Sequence, residues 1–133
     1  SKYIDNTILH NDINPYTIAL IVPNKDALRA YVKQTNPAPD TESREAKVLM
    51  LRKIQAEVDS YRKGGAHEGE FPERWLPVAI TVLPEQFSEK DGLVNSTMKV
   101  VRGKVEKFYA DRIEYAYTAE GKELLNDKNI ASV

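Results

Sequence analysis

The chain has 133 residues, no cysteine and a formal charge of −1, with 19 basic side chains against 20 acidic ones. At this length and with 41% hydrophobic residues, it can bury one moderate core without disulfide or metal staples, so we expect one domain. The lack of cysteine excludes disulfides, thiolate nucleophiles and cysteine-ligated zinc. The balanced charge provides no overall field that would attract nucleic acid or an acidic membrane surface.

The hydropathy of the chain predicts no transmembrane segment. No apolar run approaches the roughly 20 residues that span a bilayer, and the first ten residues, SKYIDNTILH, lack a basic segment followed by an apolar signal core. Together with the missing cysteines, this pattern predicts a cytoplasmic protein.

Two β-rich stretches open the chain, at residues 4–10 (IDNTILH) and 17–22 (TIALIV), with turn-forming residues between them. They predict a β-hairpin or two adjacent strands. Because IALIV is apolar without alternation, its strand is expected to be central in a small sheet and covered by helices on both faces.

Two helices are predicted next, separated by the proline-containing stretch 36–40 (NPAPD). The first runs from Lys25 to about Gln34. The second and longest begins with Asp40 or Thr41 as its cap, runs to about Lys63, and is stopped by the glycines at 64–65. Their apolar faces comprise Ala27, Leu28, Tyr31 and Val32 in the first helix, and Leu51, Ile54, Val58 and Tyr61 in the second.

The later part of the chain predicts one strand and one helix. Residues 77–83 (PVAITVL) form the strand, with Val78, Ile80 and Val82 on one face. The helix runs from residue 103 or 104 to about 117, with Phe108 and Ile113 expected as its anchors. Its apolar stripe comprises Val105, Phe108 or Tyr109, Arg112 or Ile113, and Ala116. The tail after it has few large apolar residues, so its order is left open. The expected fold class is α+β, a small mixed sheet of about three strands flanked by helices.

The sequence contains few motifs typical of metal-binding or phosphate-binding sites. His10 and His67 are far apart and have no helical pairing with acids, which disfavours a metal site, and no glycine-rich phosphate loop occurs. The acids are scattered along the chain and are expected to be solvated. The sequence therefore predicts no metal ligands.

One segment, 99–112, has a surplus of cations. A solvated helix face explains it best, because the chain as a whole is not basic. The alternative is a non-enzymatic α+β binding module that docks nucleic acid or an acidic partner. On periodicity alone Lys99 is a surface lysine. The five cations are Lys99, Arg102, Lys104, Lys107 and Arg112.

Residues 83–117 (LPEQFSEKDGLVNSTMKVVRGKVEKFYADRIEYAY) resemble the C-terminal end of AMP-forming long-chain fatty-acid–CoA ligases, of the adenylate-forming superfamily. That branch has Gly-Leu-Leu-Thr-Pro-Thr-Leu-Lys-Leu-Lys-Arg, then a helix closing on Ile-Glu-x-x-Tyr. Lys99 matches the first lysine of this pattern and Arg102 its final arginine. Ser96 replaces the proline and Val101 the second lysine. Residues 16–28 (YTIALIVPNKDAL) and 71–85 (FPERWLPVAITVLPE) are similar to earlier parts of the same ligases.

The resemblance implies that residues 1–133 are the C-terminal lid domain of such a ligase, truncated at its N-terminal side and lacking the adenylation domain. Helix 41–63 is then the long inserted helix of the long-chain branch. The implied partner is the N-terminal adenylation domain of the same polypeptide. Fatty acid, ATP, Mg²⁺ and coenzyme A are implied for the complete enzyme, and the fragment alone is expected to bind no cofactor and to be inactive.

The resemblance also implies roles for two residues. Lys99 would be the catalytic lysine that stabilises charge during acyl-adenylate formation. Arg102 would be either a substrate-phosphate contact or a charge that flanks the helix.

Overall fold

The computed structural model describes residues 2–11, 16–35, 43–62, 64–70, 76–88, 90–95, 97 and 99–133. Within these ranges the strands are β1 (Ile4–His10), β2 (Ile18–Pro23) and β3 (Ala79–Val82). The helices are α1 (Lys25–Thr35), α2 (Arg44–Asp59), α3 (Arg102–Phe108), α4 (Ala110–Ala116), α5 (Ala119–Lys122) and α6 (Asp127–Ser132).

The three strands form one mixed sheet in the order β1-β2-β3. β1 pairs antiparallel with β2, with His10 opposite Ile18, and β2 pairs parallel with β3, with Ile18 opposite Ala79. The predictions of two adjacent early strands, a central second strand and a small α+β fold are confirmed.

The central strand is buried along its whole length. Alternate side chains of a strand point to opposite faces, and here each face meets its own hydrophobic cluster. Ile18, Leu20 and Val22 belong to the first cluster, with α3, α4 and the segment before them, whereas Ala19 and Ile21 belong to the second, with α1 and α2. Helical cover on both faces is therefore confirmed.

The long helix α2 has different ends from those predicted. Its N-cap is Ser43, whose Oγ accepts a hydrogen bond from the backbone N–H of Ala46 at 3.2 Å, so the helix begins at Arg44 rather than after residue 40 or 41. It ends at Asp59, where Ser60 is the C-cap, before the predicted end at Lys63. Residues 36–42 and 63 lie outside the described residues. Gly64 has a φ of +88° and lies in a following turn instead of capping the helix.

The predicted single helix after residue 103 is two helices, α3 and α4, which meet at Tyr109 with φ −105° and ψ 27°. Phe108 was predicted as an anchor, and this is wrong, since its side chain is 57% exposed. Tyr109, four residues after the buried Val105, lies in the first cluster instead. Ile113, the other predicted anchor, is partly buried against that cluster.

The third strand is shorter than predicted. Val78 precedes it and is 51% exposed, although the alternation placed it beside Ile80 and Val82. Its N–H still donates to the carbonyl of Thr17 at 2.8 Å. All four residues of β3 are buried, so this strand, like β2, is covered on both faces.

The tail is ordered, because α5 and α6 return to the sheet. Leu124 and Ile130 pack against the second cluster, and Asn129 is fully buried beside β3. The Asn129 side chain pairs with the free edge of β3. Its Nδ2 donates to the carbonyl of Ile80 at 3.0 Å, and its Oδ1 accepts from the N–H of Val82 at 2.9 Å.

We expect Asn129→Ala to lower the free energy of unfolding by at least about 2 kcal/mol, because it leaves buried backbone groups of β3 without partners. Urea unfolding followed by circular dichroism measures this. The exposed Lys104 on α3 provides the control, since Lys104→Ala is expected to change stability by less than about 0.5 kcal/mol. An equal effect of the two substitutions would contradict the role of Asn129 at the sheet edge.

Candidate functional site

Lys99 lies on a short hairpin whose base is built into the core. Leu93 and Val94 are buried in the first cluster, and Val94 forms an isolated antiparallel bridge with Val100. The N–H of Val101 donates to the carbonyl of Leu93 at 2.8 Å. Gly92, with a φ of +77°, provides the left-handed turn that leads into the hairpin. Both strands of the hairpin base therefore pack in or against the first cluster, since Val100 is partly buried against it.

The tip of this hairpin is ordered by Asn95. Its backbone N–H donates to the carbonyl of Lys99 at 2.9 Å. Its Oδ1 accepts from the N–H groups of Thr97 and Lys99, each at 3.0 Å, and from the Thr97 hydroxyl at 2.7 Å. Sequence reasoning missed Asn95, although asparagine favours turns because its side chain can accept a hydrogen bond from the backbone two residues on. Ser96 and Met98 lie outside the described residues.

Lys99 itself is exposed at the tip. Of the ion pairs formed among the described residues, none involves Lys99. Its backbone is held at both the N–H and the carbonyl, while its side chain extends toward solvent. The hairpin thus presents an ammonium group that can reach a second surface, and its catalytic role stays a prediction.

Arg102 begins α3 and joins it to the end of β1. Its Nη2 donates to the carbonyl of Leu9, and its Nε lies 3.8 Å from Oε1 of Glu106. The other carboxylate oxygen of Glu106 contacts Nδ1 of His10. Sequence reasoning treated Glu106 as a solvated acid and saw no partner for His10. The structure pairs them across 96 residues, a contact that no local pattern reveals.

Tyrosines pack around the same end of β1. The hydroxyl of Tyr117 donates to the carbonyl of His10 at 3.3 Å, and its ring lies 5.0 Å from that of Tyr16. Burial, with a smaller contribution from Tyr16, raises the pKa of Tyr117 to about 12. This phenol is therefore a neutral donor at physiological pH.

The five cations of segment 99–112 do not form one surface. Arg112 is only 8% exposed, and its guanidinium donates to Oδ1 of Asn129 at 3.1 Å and to Oγ of Ser132 at 3.2 Å. Desolvation by burial lowers the pKa of Arg112 from its ordinary value. Its Nε has no hydrogen-bond partner among the described residues. Lys104 and Lys107 are exposed on α3.

Two grooves lie elsewhere on the domain. One of about 370 Å³ lies between β1 and the end of α2, and one of about 300 Å³ lies at the start of α1. Neither is lined by the Lys99 hairpin or by α3. Within the part of the chain that the structure describes, no group of three or more His, Asp or Glu side chains is placed to hold a metal ion.

His67 lies in an exposed turn, stacked on Tyr61 with ring centroids 5.0 Å apart and ion-paired with Glu70 at 2.5 Å. Both of these contacts of His67 are with residues close to it in the sequence. No described helix is long and apolar enough to cross a membrane.

A sequence relative is long chain acyl-CoA synthetase 8 of Arabidopsis thaliana, 30% identical over 123 residues, which are 88% of this chain and 16% of the relative. No protein-family model matches the chain. The chain spans about a sixth of the length of the Arabidopsis relative.

A solved structure with a similar fold is the adenylation domain of a carboxylate reductase from Mycobacterium chelonae. The TM-score is 0.57 and the identity 21%, and the match covers 86% of this chain and 16% of that one. At this identity the likeness bears on the fold alone.

We expect Asn95→Ala to speed amide hydrogen exchange at Thr97 and Lys99, because it removes the acceptor shared by both N–H groups. Asn95→Asp keeps an acceptor oxygen and is expected to preserve slow exchange. NMR hydrogen exchange on the two variants measures the difference. Equal exchange at the tip in both variants would show that Asn95 does not order the hairpin.

Proposed function

We propose that this domain of the adenylate-forming superfamily is the C-terminal lid of an AMP-forming long-chain fatty-acid–CoA ligase, with Lys99 as its catalytic residue. The observation that carries the proposal is the placement of Lys99, an exposed ammonium at the tip of a hairpin whose base is buried. The long-chain substrate rests on the name of the plant relative, long chain acyl-CoA synthetase 8, and on the sequence pattern around Lys99.

The first half-reaction joins two anions. A fatty carboxylate oxygen forms a bond to the α-phosphorus of ATP, the bond to the β-phosphate oxygen breaks, and pyrophosphate leaves. The Lys99 ammonium, placed between the carboxylate and the α-phosphate, offsets their repulsion and stabilises the charge on the transferring phosphoryl oxygens. A compact point charge on a flexible stem suits a centre that moves during the reaction.

In the second half-reaction, the sulfur of coenzyme A forms a bond to the acyl carbon and AMP leaves. The lid turns between the two steps, withdrawing Lys99 and presenting another face. Closing the lid over the body of the enzyme excludes water, which strengthens the electrostatic interaction between the Lys99 ammonium and the reacting atoms. The packing of the hairpin base in the first cluster supports this proposal, because the hairpin would then turn together with the core beneath it.

The partners follow from this role. The N-terminal adenylation domain of the same polypeptide would hold ATP, the fatty acid and the Mg²⁺ that accompanies ATP. Coenzyme A would meet the lid only after it turns. The complete enzyme would be cytoplasmic, and the isolated domain would show no turnover.

Arg102 has two possible roles in this scheme. It could contact a substrate phosphate, or it could hold α3 in place. Its contacts to Leu9 and Glu106 support the second role in the conformation observed.

In the complete enzyme, we expect Lys99→Ala to slow acyl-adenylate formation on the order of 10²–10³-fold, the usual cost of removing one electrostatic donor to a transition state. The conversion of supplied acyl-AMP to acyl-CoA should be largely spared. Separate assays of pyrophosphate release and of thioester formation measure the two steps. Lys107→Ala, which removes an exposed cation from the neighbouring helix, is the matched control and should affect neither.

Equal losses in both half-reactions would reject the role of Lys99. The competing function, a binding module for nucleic acid or an acidic partner, predicts a different result. Lys104→Ala and Lys107→Ala would then abolish a salt-dependent interaction with an oligonucleotide, and Lys99→Ala would leave acyl transfer intact.

A further inference from the structure

Resting on the proposed function, we infer that Glu106 is a positioning residue that sets the location of the Lys99 hairpin by fixing α3 to the end of β1. One oxygen of its carboxylate contacts His10 and the other faces Arg102. Its side chain is 28% exposed and that of His10 is 13% exposed, so the pair is partly shielded from water.

Helix α3 needs such an attachment, because its own sequence stabilises it weakly. It has only seven residues, its N-cap Val101 makes no side-chain capping bond, and its first turn contains no acid. It also contains Gly103. Isolated helices of this length are unstable in water, and an apolar N-cap residue leaves the first N–H groups without a partner. Val105 is its one residue that is buried, so lateral contacts must fix its orientation.

The hairpin and α3 are directly joined. Val101 is the N-cap of α3 and also donates its N–H to the carbonyl of Leu93 in the hairpin base. Two residues, Val100 and Val101, separate Lys99 from the first residue of the helix. Any rotation of α3 therefore moves the Lys99 tip.

Two side chains of α3 and one residue after α4 converge on the end of β1. Arg102 donates to the carbonyl of Leu9, Glu106 contacts the His10 ring, and the hydroxyl of Tyr117 donates to the carbonyl of His10. Glu106 is the centre of this attachment, since it contacts β1 through His10 and orients Arg102 within α3. In this arrangement Arg102 helps to hold α3 in place, because its guanidinium contacts Leu9 and Glu106 of the same domain.

The test uses the complete enzyme with Glu106→Gln and His10→Leu. Both should lower the kcat of acyl-adenylate formation by about 10-fold or more, since misplacing a catalytic group by about 1 Å can cost roughly 100-fold. The KM for ATP and the conversion of supplied acyl-AMP should be unchanged. His10→Asn retains a donor near the position of Nδ1 and should restore most of the rate. Glu123→Gln, which removes an exposed carboxylate from the tail, is the control and should match wild type.

A double-mutant cycle separates the two roles of Arg102. If Arg102 acts with Glu106, the loss of adenylation rate in Arg102→Ala combined with Glu106→Ala will be smaller than the product of the single losses. A raised KM for ATP in Arg102→Ala, with multiplicative losses in the double variant, would identify a substrate contact and overturn the inference.

Three further results would also count against it. These are a Glu106→Gln variant that equals Glu123→Gln, a His10→Asn variant as slow as His10→Leu, and losses shared equally by both half-reactions. If Lys99→Ala is harmless, the proposed function fails and this inference with it. If Lys99→Ala strongly slows acyl-adenylate formation while the Glu106 and His10 variants form it at the wild-type rate, this inference alone fails.

Discussion

The burial of β2 on both faces is the constraint from which the rest of the domain follows. Its side chains alternate between two hydrophobic clusters, and neither cluster can exist without cover. Helices α1 and α2 cover one face. The other is covered by α3, α4 and the buried base of the hairpin, including Leu93 and Val94. The same packing that completes the core therefore also fixes the segment that presents Lys99.

The free edge of β3 poses a second problem, which the tail solves. An edge strand has unpaired N–H and C=O groups, and β3 is buried on both faces, so water cannot satisfy them easily. The Asn129 amide takes the place of a fourth strand. Oδ1 of Asn129 also accepts a hydrogen bond from Nη2 of Arg112. The polar groups of α4, α6 and β3 thus form one buried network, and it explains why the tail is ordered despite its few large apolar residues.

Features that depend on local pattern could be predicted from the sequence. The unbroken apolar run 18–22 predicted the central strand, and the spacing of Leu51, Ile54 and Val58 predicted the buried face of α2. Features that depend on distant residues could not. Phe108 and Tyr109 fit a helical stripe equally well until the helix breaks between α3 and α4, and only packing decides which ring is buried. Arg112 counts as a surface cation until Asn129, 17 residues later, is folded against it.

The candidate site shows the same division. Local periodicity predicted Lys99 to be a surface lysine, and its exposure in the structure confirms this, whereas its catalytic role stays a prediction. The attachment of α3 to β1 through Glu106 and His10 could not be found this way, since the two residues are 96 positions apart and each is unremarkable alone. Lys99 is exposed, its backbone is held by Asn95, and the helix that follows it is attached to the end of β1.

The most direct test of this account is a crystal structure of the complete protein bound to a non-hydrolysable acyl-adenylate mimic. The account predicts that Nζ of Lys99 lies within hydrogen-bonding distance, about 3 Å, of an oxygen that replaces the α-phosphate. A structure with the lid closed over the mimic and the Lys99 ammonium directed into solvent would contradict it.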